Sequence, residues 1–434
     1  MIIDKDNIKI LLIILILGLG IGYAYINSDL NINGTAQVNS ANWDVHWANI
    51  QVTNGSVSGT NVVTAPTISN STTVNYSVIL NTPGDYYEFT VDAVNGGSID
   101  AMIDTIDSKL NGATITTLPD YLKYTVTYSD GVALEQNHQL LHNTTETYKV
   151  RIEYRTDINA NQLPATNQTL SLQFTVTYRQ ATDDAIAVDH SFNGHSWETI
   201  INNIRSGNTN NYNVGDTKTV DMGTFGTHTL RIANKSTPSE CSTPGFSQTA
   251  CGFVLEFADI ITTQIMNPSG EYQGNTYAYG WNTGGWPACE IQTYVNSDIY
   301  NALPSELKNG IINTTVVSGH GSVDSVNFTS TDKLYLLSPH EIFEDVDGKP
   351  NAGMDYFDKS YGNTRQLDYY SIQGVTTNNY SRCIKQRNGS NYQWWLRSAL
   401  SSSSSNFYCV HASGYATNAT ARSTYGVSPA FRIG

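Results

Sequence analysis

His340-Glu341-Ile342-Phe343-Glu344 is the part of this chain that comes nearest to a catalytic motif. A helical His-Glu-x-x-His holds zinc between two imidazoles one turn apart and uses the glutamate as a base. Here position 344 is Glu, so the second imidazole is missing. Ser338-Pro339 just before it reads as a helix start, with Glu341 closing a capping box. Asp345-Val346-Asp347-Gly348 begins like a calcium loop, but the later ligands are out of register and a surface turn is expected. No nucleophile elbow and no phosphate loop is visible. Five cysteines stand at 241, 251, 289, 383 and 409, none of them in Cys-x-x-Cys, which argues against a zinc ribbon or a thioredoxin-like site. Cys241 and Cys251 are near enough to close a loop, and Cys289 with Cys383 is an open possibility. The expectation is no catalytic residue, no metal and no cofactor.

Residues 399–425 differ from the rest of the chain. They hold no Lys, Glu, Gln, Met or Trp. These five types make up roughly one residue in eight of the chain, so a gap this long has a chance of about 3 in 100. From Ser401 on, the residues are Ser, Asn, Thr, Tyr, His, Cys, Ala, Gly, Arg, Phe and Val. All are products of an Asn codon randomised at its two adenines, which yields none of the five absent types. Val410, Ala412, Gly414 and Ala416 alternate with His411, Ser413, Tyr415 and Thr417. After a turn expected near Asn418, Ala419 and Ala421 alternate with Thr420 and Arg422. In a hairpin, one such set faces inward and the other outward. Tyr, Ser, Asn and Gly are also the residues that paratopes use for rigid aromatic contact and adaptable hydrogen bonding. The candidates for ligand contact are therefore Ser401, Ser403, Ser405, Asn406, Tyr408, His411, Ser413, Tyr415, Thr417, Asn418, Thr420, Arg422, Ser423, Thr424 and Tyr425. The plainer alternative is a low-complexity serine loop, Ser401 to Ser405, followed by an ordinary edge hairpin.

The elements that must carry this segment follow from composition and periodicity. The chain has 434 residues, enough for two or three domains, and 39% hydrophobic residues supply real cores. Only 14% are charged, against about 25% in ordinary soluble domains. The formal charge of -15 leaves no basic patch for phosphates and argues against nucleic acid as a partner. Lys5 and Lys9 precede an apolar run from Ile10 to Tyr25, near whose end Gly22-Tyr23-Ala24 has small residues at the two positions a signal peptidase reads. A membrane span wants about 20 apolar residues. Residues 1–28 are therefore expected to be a cleaved signal, with a retained membrane anchor as the alternative. Either places the rest of the chain outside the cytoplasm, at the cell surface.

Residues 29–180 alternate with period 2. Thr72 to Leu80, Tyr86 to Val94, Tyr121 to Tyr128, Tyr148 to Tyr154 and Leu172 to Tyr178 read as strands of a mainly β sandwich. One helix is expected around Ile99 to Leu110. Residues 181–187, beginning after Gln180 and carrying Asp183 and Asp184, read as a linker. Residues 188–434 mix short helices and strands, an α+β pattern. His195 to Arg205 looks helical, with Trp197, Ile200, Ile201 and Ile204 on one face. Leu334 to Leu337, Trp394 to Ser398 and Val427 to Ile433 read as buried strands.

Two resemblances attach to these segments. Ile32-Asn33-Gly34-Thr35-Ala36 and Trp43-Asp44-Val45-His46, after the apolar run, resemble the start of camelysin/TasA-like surface matrix proteins, which are β-sandwiches. Without His-Glu-x-x-His, no protease activity carries over. Trp394-Trp395-Leu396-Arg397-Ser398, a Ser/Asn-rich stretch and then Gly426-Val427-Ser428-Pro429-Ala430-Phe431-Arg432-Ile433 resemble the C-terminus of C-type-lectin-like surface domains of gut bacteria. Val214-Gly215-Asp216 and Leu334-Tyr335-Leu336-Leu337-Ser338 fit the same pattern. Some members of that group resemble targets of diversity-generating retroelements. That resemblance implies a variable region within 399–425, a fixed tail after Gly426, and Cys409 as a randomised codon rather than a structural cysteine. Sugar-binding lectins of the group typically hold calcium with Glu-Pro-Asn and Trp-Asn-Asp. Lys349-Pro350-Asn351 and Trp281-Asn282-Thr283 lack those charges, so calcium-dependent sugar binding is not expected.

Three function classes remain. A surface receptor or adhesin would contact an extracellular protein or glycan through the hairpin. A matrix or pilus-like subunit would polymerise through the N-terminal region. An enzyme on the lectin-like fold, such as a hydrolase or a formylglycine-generating type, would need paired reactive cysteines or another catalytic constellation, and none is found. The first class accounts best for the composition of 399–425.

Overall fold

The computed structural model describes residues 41–164, 169–268, 281–344 and 364–434, and the backbone of 270–272 and 275–277. The N-terminal apolar run, Ile32–Ala36, Asp345–Gly348 and Lys349–Asn351 lie outside the described residues, so the expectations that rest on them are not addressed by the fold. Among the described residues no helix is long and apolar enough to cross a membrane.

The structure is mostly β, with 41% strand and 16% helix, arranged in several sheets. In the N-terminal region the strands are β1 (Val45–Val52), β2 (Val62–Asn70), β3 (Thr73–Val78), β4 (Tyr86–Asn95), β5 (Ala101–Leu110), β6 (Ala113–Thr114), β7 (Leu122–Tyr128), β8 (Gln139–Leu140), β9 (Thr144–Tyr154) and β10 (Leu170–Gln180). One sheet has the order β1-β4-β9-β7; the other runs β2-β3-β10-β5-β6, with β8 on β5. The period-2 pattern produces this directly. Along β4 the residues alternate between half-buried and buried from Tyr86 to Asn95. Both sheets contribute to one core. Trp47 of β1 packs edge-on to Tyr148 of β9 at 5.3 Å and against Phe174 of β10 at 5.6 Å, which ties the two sheets together.

The helix expected over Ile99 to Leu110 is a strand, β5. Its apolar residues have helical spacing, but β10 offers a full strand edge and β5 pairs with it from Leu172↔Leu110 to Gln180↔Ala101. Ala101, Met102 and Ile103 are buried by that pairing. The ladder satisfies backbone groups on both strands, and this tertiary gain overrides local preference. The linker is partly tied down as well: Gln139 N donates to Ile186 O at 2.9 Å and Ile186 N to Asn137 O at 2.8 Å.

The C-terminal region opens with α1 (Trp197–Ser206). Ser196 caps it by accepting from Thr199 N, and Gly207 ends it at φ 75°. Trp197, Ile200 and Ile201 are buried, and Ile204 packs against the same core, the apolar face read from the sequence. The strands that follow are β11 (Thr217–Asp221), β12 (Thr227–Asn234), β13 (Phe253–Phe257), β14 (Thr262–Ile265), β15 (Gly270–Tyr272), β16 (Asn275–Tyr277), β17 (Thr314–Ser318), β18 (Phe328–Asp332), β19 (Lys385–Arg387), β20 (Ser390–Tyr392), β21 (Trp394–Ala399), β22 (Asn406–Val410), β23 (Ala416–Thr420), β24 (Thr424–Val427) and β25 (Ala430–Ile433). They form a β11-β12-β13-β25 sheet, a β14-β24-β21-β22-β23 sheet and three two-stranded pairs.

Leu334 to Leu337 is fully buried but is not a regular strand, with a single bridge from Tyr335 to Ala430. Side chains take over the work of a ladder there. Asn296 bonds both the N–H and the C=O of Leu334 at 3.0 and 2.9 Å, and Arg397 Nη1 donates to Leu336 O at 2.9 Å. The capping box of Ser338 and Glu341 is present. Cys241 and Cys251 form a disulfide.

Candidate functional site

The segment proposed for ligand contact sits on the five-stranded sheet. Strand β21 is its central strand, with all six residues buried. Strand β22 pairs antiparallel with β21 on one side and with β23 on the other, and β23 is the edge. The hairpin turn falls at His411 to Tyr415 rather than near Asn418. His411 N donates to Tyr415 O at 2.8 Å and Gly414 N to His411 O at 2.8 Å. Gly414 has φ +96°, and a Cβ there would lie 2.4 Å from Tyr380 O, so glycine is required. Asn418 instead lies in mid-strand opposite Tyr408, with its Oδ1 accepting from Asn406 Nδ2 at 2.8 Å.

That register separates the candidate residues into three groups. At the hairpin tip, the His411 and Tyr415 rings stack at 4.5 Å, Tyr380 stands edge-on to Tyr415 at 5.9 Å, and Ser413 is exposed. At the opposite end, Asn406, Asn418, Thr420 and Ser423 are half-buried, with Thr420 and Ser423 hydroxyls 3.1 Å apart. Arg422 just beyond is exposed. Thr424 is exposed and Tyr425 half-buried on β24, which β21 separates from the hairpin; Tyr425 lies edge-on to Trp395 at 4.9 Å. Opposite residues of paired strands share a face. Asn406, Asn418 and Thr420 therefore lie on one face of the hairpin and Thr417 on the other. The candidates form a tip, an edge and a separate group on β24, not a single flat face.

Tyr408 is a correction. It is 1% exposed and packs in the core, because β22 has neighbours on both sides and both of its faces are covered. Cys409 is likewise fully buried, with Gln393 Nε2 3.0 Å from its sulfur. Burial pushes its thiol up to about 12, so it is inert as a nucleophile at neutral pH.

The serine run is a pinned loop. Ser403 Oγ accepts from the backbone N–H groups of Ser405 and Asn406, each at 3.2 Å. Asn282, 1% exposed, donates through Nδ2 to Ser403 O at 2.8 Å and Asn406 O at 3.0 Å. Ser322 N donates to Ser403 O at 2.9 Å. Ser401 and Ser405 are half-buried within this loop and Ser402 is exposed. Asn282 is thus a positioning residue for the candidate segment. The sequence reading weighed it only as an incomplete calcium ligand, because its partners lie more than a hundred residues away.

A second cluster has no local signature at all. Asp130 Oδ2 accepts from His190 Nδ1 at 2.6 Å and from His195 Nε2 at 3.0 Å. His195 Nδ1 meets Tyr212 Oη at 2.6 Å, and Asn203 Nδ2 donates to Tyr212 Oη at 2.9 Å and to Asp130 O at 2.5 Å. This network joins the N-terminal sheets to α1. It borders a cleft of about 830 Å³ whose lining includes Gly131, His195 and Asn203 together with Lys123, Lys149 and Arg151. Burial would raise the Asp130 carboxyl, but its bonds from His190 and His195 hold it far below the ordinary carboxylate value. The same bond raises His190. Asp130 and His195 are separated by 65 residues, so spacing could not reveal them.

No curated protein and no solved structure matches the chain. Residues 259–434, less than half of the chain, match one family model, described as a domain of unknown function, DUF6273.

Proposed function

We propose that this chain is an exported, surface-displayed ligand-binding protein, a receptor or adhesin and not an enzyme, whose C-terminal edge hairpin carries the contact residues. In this reading an N-terminal β-sandwich follows the segment that delivers the chain to the cell envelope, and a C-type-lectin-like domain presents the hairpin to an extracellular protein or glycan. The hairpin segment is diversified by a retroelement acting on adenine-templated codons.

The observation that carries the reading is the coincidence of composition and position. The five residue types that randomised Asn codons cannot encode are absent from 399–425, and that stretch includes the edge strand β23 and the hairpin tip of the five-stranded sheet, where its exposed and half-buried side chains are concentrated. Its backbone is held by buried Phe407, Val410 and Gly414, which leaves side chains at the tip and edge free to change without loss of the fold. Sequencing the end of this gene across many cells of one population, with the flanking DNA, tests it. Substitutions confined to codons such as those of His411, Ser413, Tyr415 and Thr417, matched to adenines in a nearby template copy, support the reading. An invariant segment with no template copy overturns it.

The alternative is a matrix or pilus-like subunit that adds strands at an open sheet edge. Strand β2 is an exposed edge with Val63 at 53% and Ile68 at 39% exposure, which favours it. Pro66 in the middle of that strand lacks an N–H and blunts the edge, which weighs against it.

A further inference from the structure

We propose that Asp130, His190 and His195 form a site for one divalent transition-metal ion, zinc-like in its ligand preference, at the junction of the N-terminal sheets with α1. The three ligand atoms, one carboxylate oxygen and two imidazole nitrogens, lie within 4.8 Å of one another. Tetrahedral coordination at about 2.0–2.1 Å puts neighbouring ligand atoms about 3.3 Å apart, so each must move by less than about 1 Å from its present place. Imidazole with carboxylate suits zinc and its neighbours rather than calcium or magnesium, which take oxygen sets.

The far side of each ring carries the second, independent argument. Metal-bound imidazoles almost always donate their other N–H to a carboxylate or another acceptor, which fixes the tautomer. His195 has Tyr212 Oη at 2.6 Å from Nδ1, and His190 has Glu146 Oε2 at 4.0 Å from Nε2. In the present hydrogen-bonded arrangement His190 Nε2 is buried with no hydrogen-bond partner among the described residues, Glu146 being too far at 4.0 Å. A buried, unpartnered ring nitrogen is costly. Moving each ring's hydrogen to its far nitrogen offers it to Glu146 and Tyr212 and frees the near nitrogens for an ion. The remaining groups are already fixed: Asp130 Oδ1 accepts from Val132 N at 3.2 Å, and Tyr128 stands edge-on to His190 at 5.1 Å. Three protein ligands leave a fourth position for water or a donor atom from outside. The ligands come from both sides of the junction, so the ion would cross-link the two regions and raise the melting temperature with its concentration.

Cobalt(II) titration of the full chain, followed by visible absorption and then displacement by zinc, tests the site. One equivalent of Co2+ with tetrahedral-type bands is expected, abolished by His190→Gln and retained by His142→Gln, which alters a histidine elsewhere. Glu146→Gln keeps all three ligands and should weaken Co2+ binding about 10–100-fold through the lost outer acceptor. Absence of saturable Co2+ bands in the unaltered chain overturns the proposal. So does binding that both His190→Gln and Glu146→Gln leave unchanged, since the ion would then sit elsewhere. If His190→Gln fails to fold, the Glu146→Gln affinity decides alone.

Discussion

Arg397 and Glu341 lie side by side with neither side chain exposed, joined by two hydrogen bonds of 2.6 Å, Nη1 to Oε2 and Nη2 to Oε1. The guanidinium also donates to Val317 O and Leu336 O, and the carboxylate accepts from Ser338 N and Thr364 Oγ1. One pair thus anchors β21, β17 and the helical turn Pro339–Ile342 beneath the candidate hairpin. Removing one partner of a buried pair leaves an uncompensated charge and costs about 3–5 kcal/mol. Arg397→Met is expected to destabilise the chain by that amount, and Arg397→Met with Glu341→Leu by much less than the two changes summed. Urea denaturation measures both. A single substitution costing under about 1 kcal/mol would show that the pair is not a structural anchor.

Glu256 sets an acid limit. Burial alone would raise its carboxyl, but Arg231 and Lys385 outweigh that and hold it at about 2, against an ordinary 4.5. Arg231 Nη2 is 2.7 Å from Oε1, and Lys385 Nζ is 2.8 Å from Oε2. A depressed folded-state value means the unfolded chain takes up the proton first. The stabilisation is therefore complete above pH 4.5 and is lost as pH falls from 4.5 towards 2. Stability measured across that window should fall more steeply in the unaltered chain than in Glu256→Gln. Parallel slopes would sink the assignment.

What was legible in the sequence tracks how local its cause is. The alternation in β4, β9 and β10 and the apolar face of α1 are short-range patterns, and each became the element expected. The capping box at Ser338 is a four-residue pattern and is present. Strand β5 reads as a helix from the sequence because its partner β10, which decides its state, lies about 70 residues further on. Asn418 reads as a turn residue by type, whereas the sharper constraint is Gly414, whose positive φ no side chain tolerates beside Tyr380. Tyr408 is a candidate only by residue type and membership of the segment; its parity is that of Val410 and Ala412, the set read as inward, and on β22, interior to its sheet and covered on both faces, it is buried. The Asn282 brace and the Asp130–His190–His195 cluster are long-range arrangements and left no mark on spacing.

The Cys241–Cys251 disulfide closes a short loop, ten residues apart in sequence. In the chain-entropy account such a loop contributes roughly 2–3 kcal/mol by restricting the unfolded chain. Cys241→Ser with Cys251→Ser is expected to lower stability by that amount, and reductant should do the same to the unaltered chain. Cys289, Cys383 and Cys409 are buried, and burial raises all three thiols. Alkylation of the native, oxidised chain should therefore modify none of them until it unfolds. Rapid labelling of any one under native conditions would contradict its burial.

Residues 401–425 should divide sharply into fixed and exchangeable positions. Gly414→Ala forces a side chain into the left-handed region and against Tyr380 O, at a cost of about 1–3 kcal/mol before any clash. Tyr408→Ala empties a fully packed core site and should cost about 3–5 kcal/mol. Ser413→Tyr and Thr424→Asn change exposed side chains and should stay within about 0.5 kcal/mol of the unaltered chain. Calorimetric unfolding of the four variants separates two accounts. A steep contrast is what a scaffold built to carry changing contact residues requires. If Ser413→Tyr and Thr424→Asn cost as much as Gly414→Ala, the exposed positions are structural, and a diversified contact segment over residues 401–425 is ruled out.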